Sequence, residues 1–481
     1  MRVEEKIKQL GYEPEAWATT FGANDLDFGR RVAEIIGEDL LYVPSRKTYY
    51  VWNGKCFAPD DGMTFVEEMV RPIIEHWLLL VSRISDAEAR KYWLTGVKQY
   101  LGIVKMRAAI SGMRTMHSVA LTADDLDHNA LLLNAQNGTI VIDKNLRHLT
   151  LKPHDRTDKI TMVAGGGYYP ALSWEDSRID GGVFKTFIER TLPDPTVRKF
   201  IQRALGASLI GGNREQMLLY LHDNGDGQTG KTTLGRAIEG ALGEYFGMMD
   251  FSAFTKTTFK AHADSARPSL IKVRGKRVVW SSETEKEVII AEGMVKNLTG
   301  GETQTGRQLY GTQESWRNTW TPWLVSNTLP LMDSEDGAYW RRVHLIEFTQ
   351  RVLEADLNKD LQEQLATESR DAVMMWMLEG LEAYLRKGLK APSAIEEHTQ
   401  SVRNEMSALA VFFEDRLEWG DGFVTTQEIF DAYNSWCILK NVRPKVSTVR
   451  EMGRKLGSDK RFTYTRLDHA KPRGWAGAKL K

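Results

Sequence analysis

Hydrophobic positions along the chain change period several times, and the changes mark out its elements. Leu40-Leu41-Tyr42-Val43 and Tyr49-Tyr50-Val51-Trp52 are short aliphatic and aromatic runs. They predict two strands joined by a polar turn, with Asn53-Gly54 closing a second turn. A helix-rich stretch follows from about Val66 to Ala120. Leu131-Leu132-Leu133-Asn134 and Gly138-Thr139-Ile140-Val141-Ile142-Asp143 read as strands around Asn137-Gly138. Helical periodicity from Phe184 to Leu209 breaks at Pro193-Asp194-Pro195, where a helix restarts. Three apolar runs of strand length, Met217 to Leu221, Val278 to Trp280 and Trp323 to Ser326, each lead into polar residues. Beyond Pro392 a helical pattern with charged faces reaches about Trp419.

The last sixty residues read as a unit of their own. Thr425-x-x-Glu428 and Thr448-x-x-Glu451 are capping-box patterns, each opening a short amphipathic helix. Arg461 to Leu467 and Gly474 to Leu480 then read as two strands around a turn containing Lys471, Pro472 and Arg473. Helix, turn, basic helix and basic hairpin is the order of a winged helix-turn-helix. Charge supports it only locally. The whole chain is neutral, with 64 Lys+Arg against 64 Asp+Glu, yet 438–481 hold thirteen basic residues against Glu451, Asp459 and Asp468. Arg450, Arg454 and Lys455 are predicted on the exposed face of the second helix, where a DNA reader needs them. The bland alternative is a small helical cap whose solvated basic face contacts other proteins.

With 481 residues the chain exceeds one ordinary core. Its pattern divides it into 1–165, a mixed α/β module; 166–215, helical; 216–395, a second α/β region; and 396–481. Cys56 and Cys437 lie far apart, which excludes a disulfide framework or zinc ribbon. A charged N-terminus and the lack of any apolar run near ~20 residues predict a soluble cytoplasmic protein without a membrane partner.

The chemistry centres on Gly225-Asp226-Gly227-Gln228-Thr229-Gly230-Lys231-Thr232, a full match to G-x-x-x-x-G-K-[ST] between a strand and a helix opening at Thr233. Such glycines let backbone amides close on phosphate oxygens, and the helix N-terminus adds partial positive charge. Lys231 would neutralise the terminal phosphates of ATP, and Thr232 would hold Mg²⁺ through its hydroxyl. The Val278 strand ends near Glu283 and Glu285, which places Glu283 as the acid serving Mg²⁺ and water, with Glu285 second. Asn327 follows the Trp323 strand and can orient the attacking water. Arg341 and Arg342 are candidates for an arginine finger reaching a neighbouring subunit, and either can fill the role.

These blocks, with Lys296-x-Leu298-Thr299-Gly300-Gly301-Glu302 and Arg307-x-x-Tyr310, occur in the order seen in superfamily 3 helicases. More narrowly, the chain resembles the phage and plasmid primase–helicases, relatives of the poxvirus primase–helicase, from about residue 25 to the end. Leu132-Leu133-Asn134 through Pro153-His154-Asp155 resembles the module preceding the helicase in that family. The resemblance implies an AAA+-like P-loop core, a helical collar for oligomerisation over 166–215 and a winged-helix tail. It implies a homohexameric ring moving 3′ to 5′ on single-stranded or forked DNA in a bacterial host, beside a separate primase or host replication proteins. About 25 residues precede the module, which predicts no primer synthesis. In the hairpin that would touch DNA, Tyr310 to Trp320 offers Gln313 and Arg317 but no lysine. Arg307 and Arg317 are candidate contacts; Tyr310 or Trp316 can stack on bases or pack in the core. Two other classes share parts of this pattern: an ATP-driven origin-melting initiator and a small-molecule phosphotransferase.

Overall fold

The computed structural model describes residues 5–7, 13–20, 22, 24–145, 147–223, 225, 227–256, 268–282, 289–306, 314–330, 332, 336–353, 358–405, 408–441, 444, 446–459, 461–466 and 473–481. Near the N-terminus, helices α1 (Pro14–Thr20) and α2 (Asp25–Ile36) precede an antiparallel meander of β1 (Leu40–Val43), β2 (Thr48–Trp52) and β3 (Phe57–Asp60). The third strand follows the Asn53-Gly54 turn, and the sequence pattern did not predict it. Its Asp60 carboxylate then accepts the amides of Thr64 and Val66, starting α3 (Thr64–Val81). Helices α4 (Ala87–Lys98) and α5 (Ile103–Met113) complete the helix-rich stretch. Trp17, Phe28, Trp77 and Trp93 fill the core of this module, with the Arg31 guanidinium 3.7 Å over the Trp17 ring. A second meander, β4 (Leu132–Ala135), β5 (Gly138–Asp143) and β6 (His148–Lys152), closes the region.

Helices α6 (Gly181–Thr191) and α7 (Pro195–Ser208) flank the Pro193 break, and Asp194 caps α7 by accepting the Thr196 amide at 2.7 Å. Phe184, Phe200 and Leu205 share one core with Ile140 of β5 and with the helices that cover the central sheet. That sheet uses β7 (Leu218–His222), β8 (Phe246–Met248), β9 (Val278–Ser282), β12 (Thr321–Val325) and β13 (Val343–Glu347), ordered β13-β7-β12-β9-β8. Between β9 and β12 an antiparallel pair, β10 (Thr303–Gly306) and β11 (Glu314–Arg317), stands off the sheet. All five sheet strands are parallel and helices cover both faces, so β7 is buried along its whole length and reads as a continuous apolar run.

The helices of this region are α8 (Lys231–Leu242), α9 (Pro268–Lys272), α10 (Glu292–Thr299), α11 (Gly337–Trp340), α12 (Leu361–Thr367), α13 (Arg370–Lys387) and α14 (Ser393–Glu405). The Thr399 hydroxyl on α14 accepts the Leu345 amide of β13 at 3.2 Å, so α14 belongs to the sheet rather than to the tail. The C-terminal unit is α15 (Ala408–Arg416), β14 (Leu417–Val424), α16 (Thr426–Leu439), α17 (Val449–Ser458), β15 (Thr463–Thr465) and β16 (Gly474–Leu480), with sheet order β14-β16-β15. Both predicted caps are present: Thr425 forms the full box with Glu428, and Thr448 accepts the Glu451 amide.

Candidate active site

The parallel strands all open their carboxyl ends on one edge, where ligands of such sheets bind. Leaving β7 there, the chain turns through Gly225, Gly227, Gln228 and Gly230, all with positive φ between 54° and 91°. Gly230 is the tightest point. A Cβ there would lie 3.0 Å from Thr191 and 3.4 Å from Phe187 on α6, so α6 forms the floor of the loop. Lys231 is the first residue of α8, and its N-cap position is Gly230, so no side chain at the cap competes with an anion for the helix's first amides.

Lys231 is buried and its Nζ pairs with the Asp223 carboxylate, 3.1 Å from Thr229 Oγ1. Asp223 also accepts the Thr229 hydroxyl at 2.9 Å and the Gly225 amide at 3.1 Å. Burial alone would raise the Asp223 carboxyl, but hydrogen bonds from Lys231, Thr229 and Gly225 hold it below the usual carboxylate range. This buried anion holds the loop and its lysine in place, and it was not among the residues picked from sequence. The signal was a charged residue between a buried strand and the glycine loop.

The end of β12 is fastened to the same loop, because the Asn327 carbonyl accepts the Gly225 amide at 3.1 Å and the Asn327 side chain stays exposed. Thr232 is exposed at the start of α8, and Thr233 accepts Gln362 Nε2 at 3.4 Å. Asp226, Glu283 and Glu285 lie outside the described residues; β9 ends at Ser282, on the edge that carries the loop.

The two arginines sit elsewhere. The Leu218 amide at the start of β7 bonds the Arg342 carbonyl, so Arg342 lies at the amino edge of the sheet. Five strand residues at roughly 3.3 Å each put about 16 Å between that edge and the loop. Arg342 is tied down, donating to the Ala338 carbonyl at 2.6 Å and to Gln216 Oε1 at 2.7 Å. Arg341 is exposed. Its helix α11 is capped by Asp336, whose carboxylate also pairs with Lys296 of α10, which in turn bonds Glu292 at 2.6 Å. The Lys296-to-Glu302 block therefore braces the helix before Arg341.

Of the expected nucleic-acid contacts, Arg307, Tyr310, Gln313 and Lys471 lie outside the described residues. Arg317 is exposed on β11. Trp316 beside it is buried, with the Arg274 guanidinium 5.6 Å from its ring. Arg450 and Arg454 are exposed one turn apart on α17, Lys455 is half-buried, and Arg473 is exposed before β16.

A pair of imidazoles behind the loop also escaped the sequence reading. His222 Nε2 lies 2.8 Å from His398 Nε2 of α14, with the rings stacked. Burial, then the His398 charge, pushes His222 down to about 4; burial does the same to His344 on β13. Both stay neutral in the fold but protonate in the unfolded chain below its ordinary value of 6.5. Stability therefore falls as pH drops from 6.5 to about 4, by roughly 1.4 kcal/mol per unit for each histidine. Urea unfolding at a series of pH values checks this, and His344→Gln is expected to flatten the slope by about half over that window.

Residues 29–202 match the family described as D5 N terminal like. The chain is 27% identical over 331 residues to "Putative helicase L207/L206" of Acanthamoeba polyphaga mimivirus, covering 65% of this chain and 33% of that protein. It is 25% identical over 272 residues to "Putative helicase 022R" of Frog virus 3, covering 52% of this chain and 27% of that protein. It is 25% identical over 223 residues to "Putative primase C962R" of African swine fever virus, covering 45% and 22%. The chain thus spans a third or less of the curated relatives it matches. Among solved structures, the apo C-terminal region of NrS-1 aligns over 72% of this chain and 96% of that one, at 13% identity and a TM-score of 0.37. The chain is thus similar, over residues 29–202, to the family described as D5 N terminal like and, over longer stretches, to viral proteins named putative helicases and putative primases. No helix among the described residues is long and apolar enough to cross a membrane.

Proposed function

We propose that this chain is an ATP-dependent DNA helicase of a phage, plasmid or integrated element, working as a head-to-tail homohexameric ring that moves 3′ to 5′. The observation that carries the reading is the separation of two half-sites. Lys231 and its loop occupy the carboxyl edge of the sheet, and Arg341 stands exposed near the amino edge of β13. A loop and an arginine placed so far apart on one chain suit an ATP site shared between neighbouring copies.

The residues fit ATP. The positive-φ loop, the glycine-capped start of α8 and the buried Lys231 form a cradle of donors for a triphosphate. Thr232 would hold Mg²⁺ with Glu283, and the ion supplies charge neutralisation at the phosphates when bound. Glu283, with Glu285 as second carboxylate, is assigned to take a proton from water, and Asn327 to orient that water. A neighbour's arginine would stabilise the charge of the transferred phosphoryl group. Arg317 and the exposed Arg450, Arg454 and Arg473 would meet single-stranded or forked DNA as phosphate contacts, together with Arg307, Tyr310, Gln313, Lys455 and Lys471.

The test is separation of a forked duplex by the purified protein with ATP and Mg²⁺. Unwinding no faster than that of Lys231→Ala would sink the proposal. Binding to DNA should also weaken steeply between low and physiological salt, as released counterions demand.

A further inference from the structure

Where the N-terminal module meets the ATPase region, a cleft of about 1030 Å³ runs between the β1–β2 turn and the β10–β11 pair. Two guanidiniums enter it from opposite walls, Arg46 from the β1–β2 turn and Arg274 from the segment after α9, and both meet one carboxylate, Glu314 of β11. Arg46 Nη2 lies 3.6 Å from it, and Arg274 is in direct contact. Arg274 also reaches Asp124 at 3.2 Å, but that acid is largely exposed and so screened by solvent. The other two acids of the cleft are engaged by hydroxyls, Asp61 by Thr48 at 3.3 Å and Asp127 by Thr161 at 2.5 Å.

One carboxylate therefore serves two partly buried cations. Burial and the facing Arg46 charge pull the Arg274 guanidinium down; burial acts on Arg46 too, but Tyr50 and Glu314 outweigh it and hold that guanidinium up, so Arg274 is the cation left short of negative charge. Lys47 and Arg317 add exposed cations along the same cleft. Trp316, buried beneath Arg274, braces that guanidinium and offers no open face for a base.

We propose that this cleft binds the phosphodiester backbone of single-stranded DNA, and that Glu314 holds the place of a phosphate until the strand arrives. The inference rests on the helicase reading. A phosphate between Arg46 and Arg274 would release β11 from the N-terminal module, coupling strand entry to movement of the β10–β11 pair. Recognition would be of the backbone alone, without sequence preference.

The test uses the full chain and a fluorescein-labelled oligothymidylate, with anisotropy read across a salt series without nucleotide. Glu314→Gln removes the competing charge and is expected to tighten binding by about threefold or more. Lys47→Ala, at an exposed turn position, is expected to weaken binding and to lower the log–log salt slope by about one. A purely structural ion pair predicts the reverse for Glu314→Gln, namely unchanged or weaker binding, and that result overturns the proposal. An unchanged salt slope for Lys47→Ala overturns it as well, and this variant keeps the test open should Glu314→Gln fail to fold. Inorganic phosphate displacing the oligonucleotide at equal phosphate concentration would mark a small-anion site and overturn the assignment to DNA. ATP-driven unwinding measured on the same preparations separates the two readings. Wild-type unwinding with unaltered binding by both variants rejects the cleft alone; shifted binding without any unwinding rejects the helicase.

Discussion

Lys231→Ala is expected to cut ATP hydrolysis by at least about 100-fold, the scale of removing one preorganised charge from a phosphoryl-transfer site. It is also expected to destabilise the protein, because its partner Asp223 would be left buried and unpaired. Breaking a buried pair from one side costs about 3–5 kcal/mol. The two effects separate in a double variant. Adding Asp223→Asn to Lys231→Ala removes the stranded charge and should restore most of the stability, yet hydrolysis should stay lost. Urea midpoints and phosphate release measured on both proteins check this. Recovery of hydrolysis in the double variant would mean that Lys231 acts only by holding the loop together.

The same pair shows where sequence reasoning reached and where it stopped. The Gly225-to-Thr232 loop was legible because its spacing is local, and β7, β9 and β12 were legible because buried parallel strands are continuous apolar runs. β13 escaped: Val343-His344-Leu345-Ile346-Glu347 mixes polar residues with apolar ones and follows directly on the arginine pair. β8 has only three residues, too few to carry a period. Asp223 and the His222–His398 pair escaped for a different reason. Their roles depend on what tertiary packing brings near them, His398 being 176 positions from His222. The helices expected as a collar raise a related point. A helix pair with strong periodicity looks the same in sequence whether its apolar face meets another subunit or, as for α6 and α7, the sheet of its own chain.

Arg341 and Arg342 could not be ranked from sequence, and the structure makes their expected behaviour differ. Arg342→Ala should act on stability, because its guanidinium holds the Ala338 carbonyl and Gln216 at the start of β7. Arg341→Ala should leave stability and nucleotide binding near wild type and lower hydrolysis by about 1000-fold, the lower end of what an arginine finger contributes. The decisive measurement mixes this variant with Lys231→Ala, each nearly inactive alone. In a head-to-tail ring each ATP site takes its loop from one copy and its arginine from the next. An equal mixture then has an intact loop at half the sites and an intact neighbouring arginine at half, so about a quarter of sites are complete. Hydrolysis should rise to roughly that fraction of wild type as the subunits exchange. Were Arg341 to serve the loop of its own chain, no mixed site would contain both residues, and mixing would restore nothing. The distance across β7 argues for recovery, since the edge that carries Arg342 lies about 16 Å from the loop that carries Lys231.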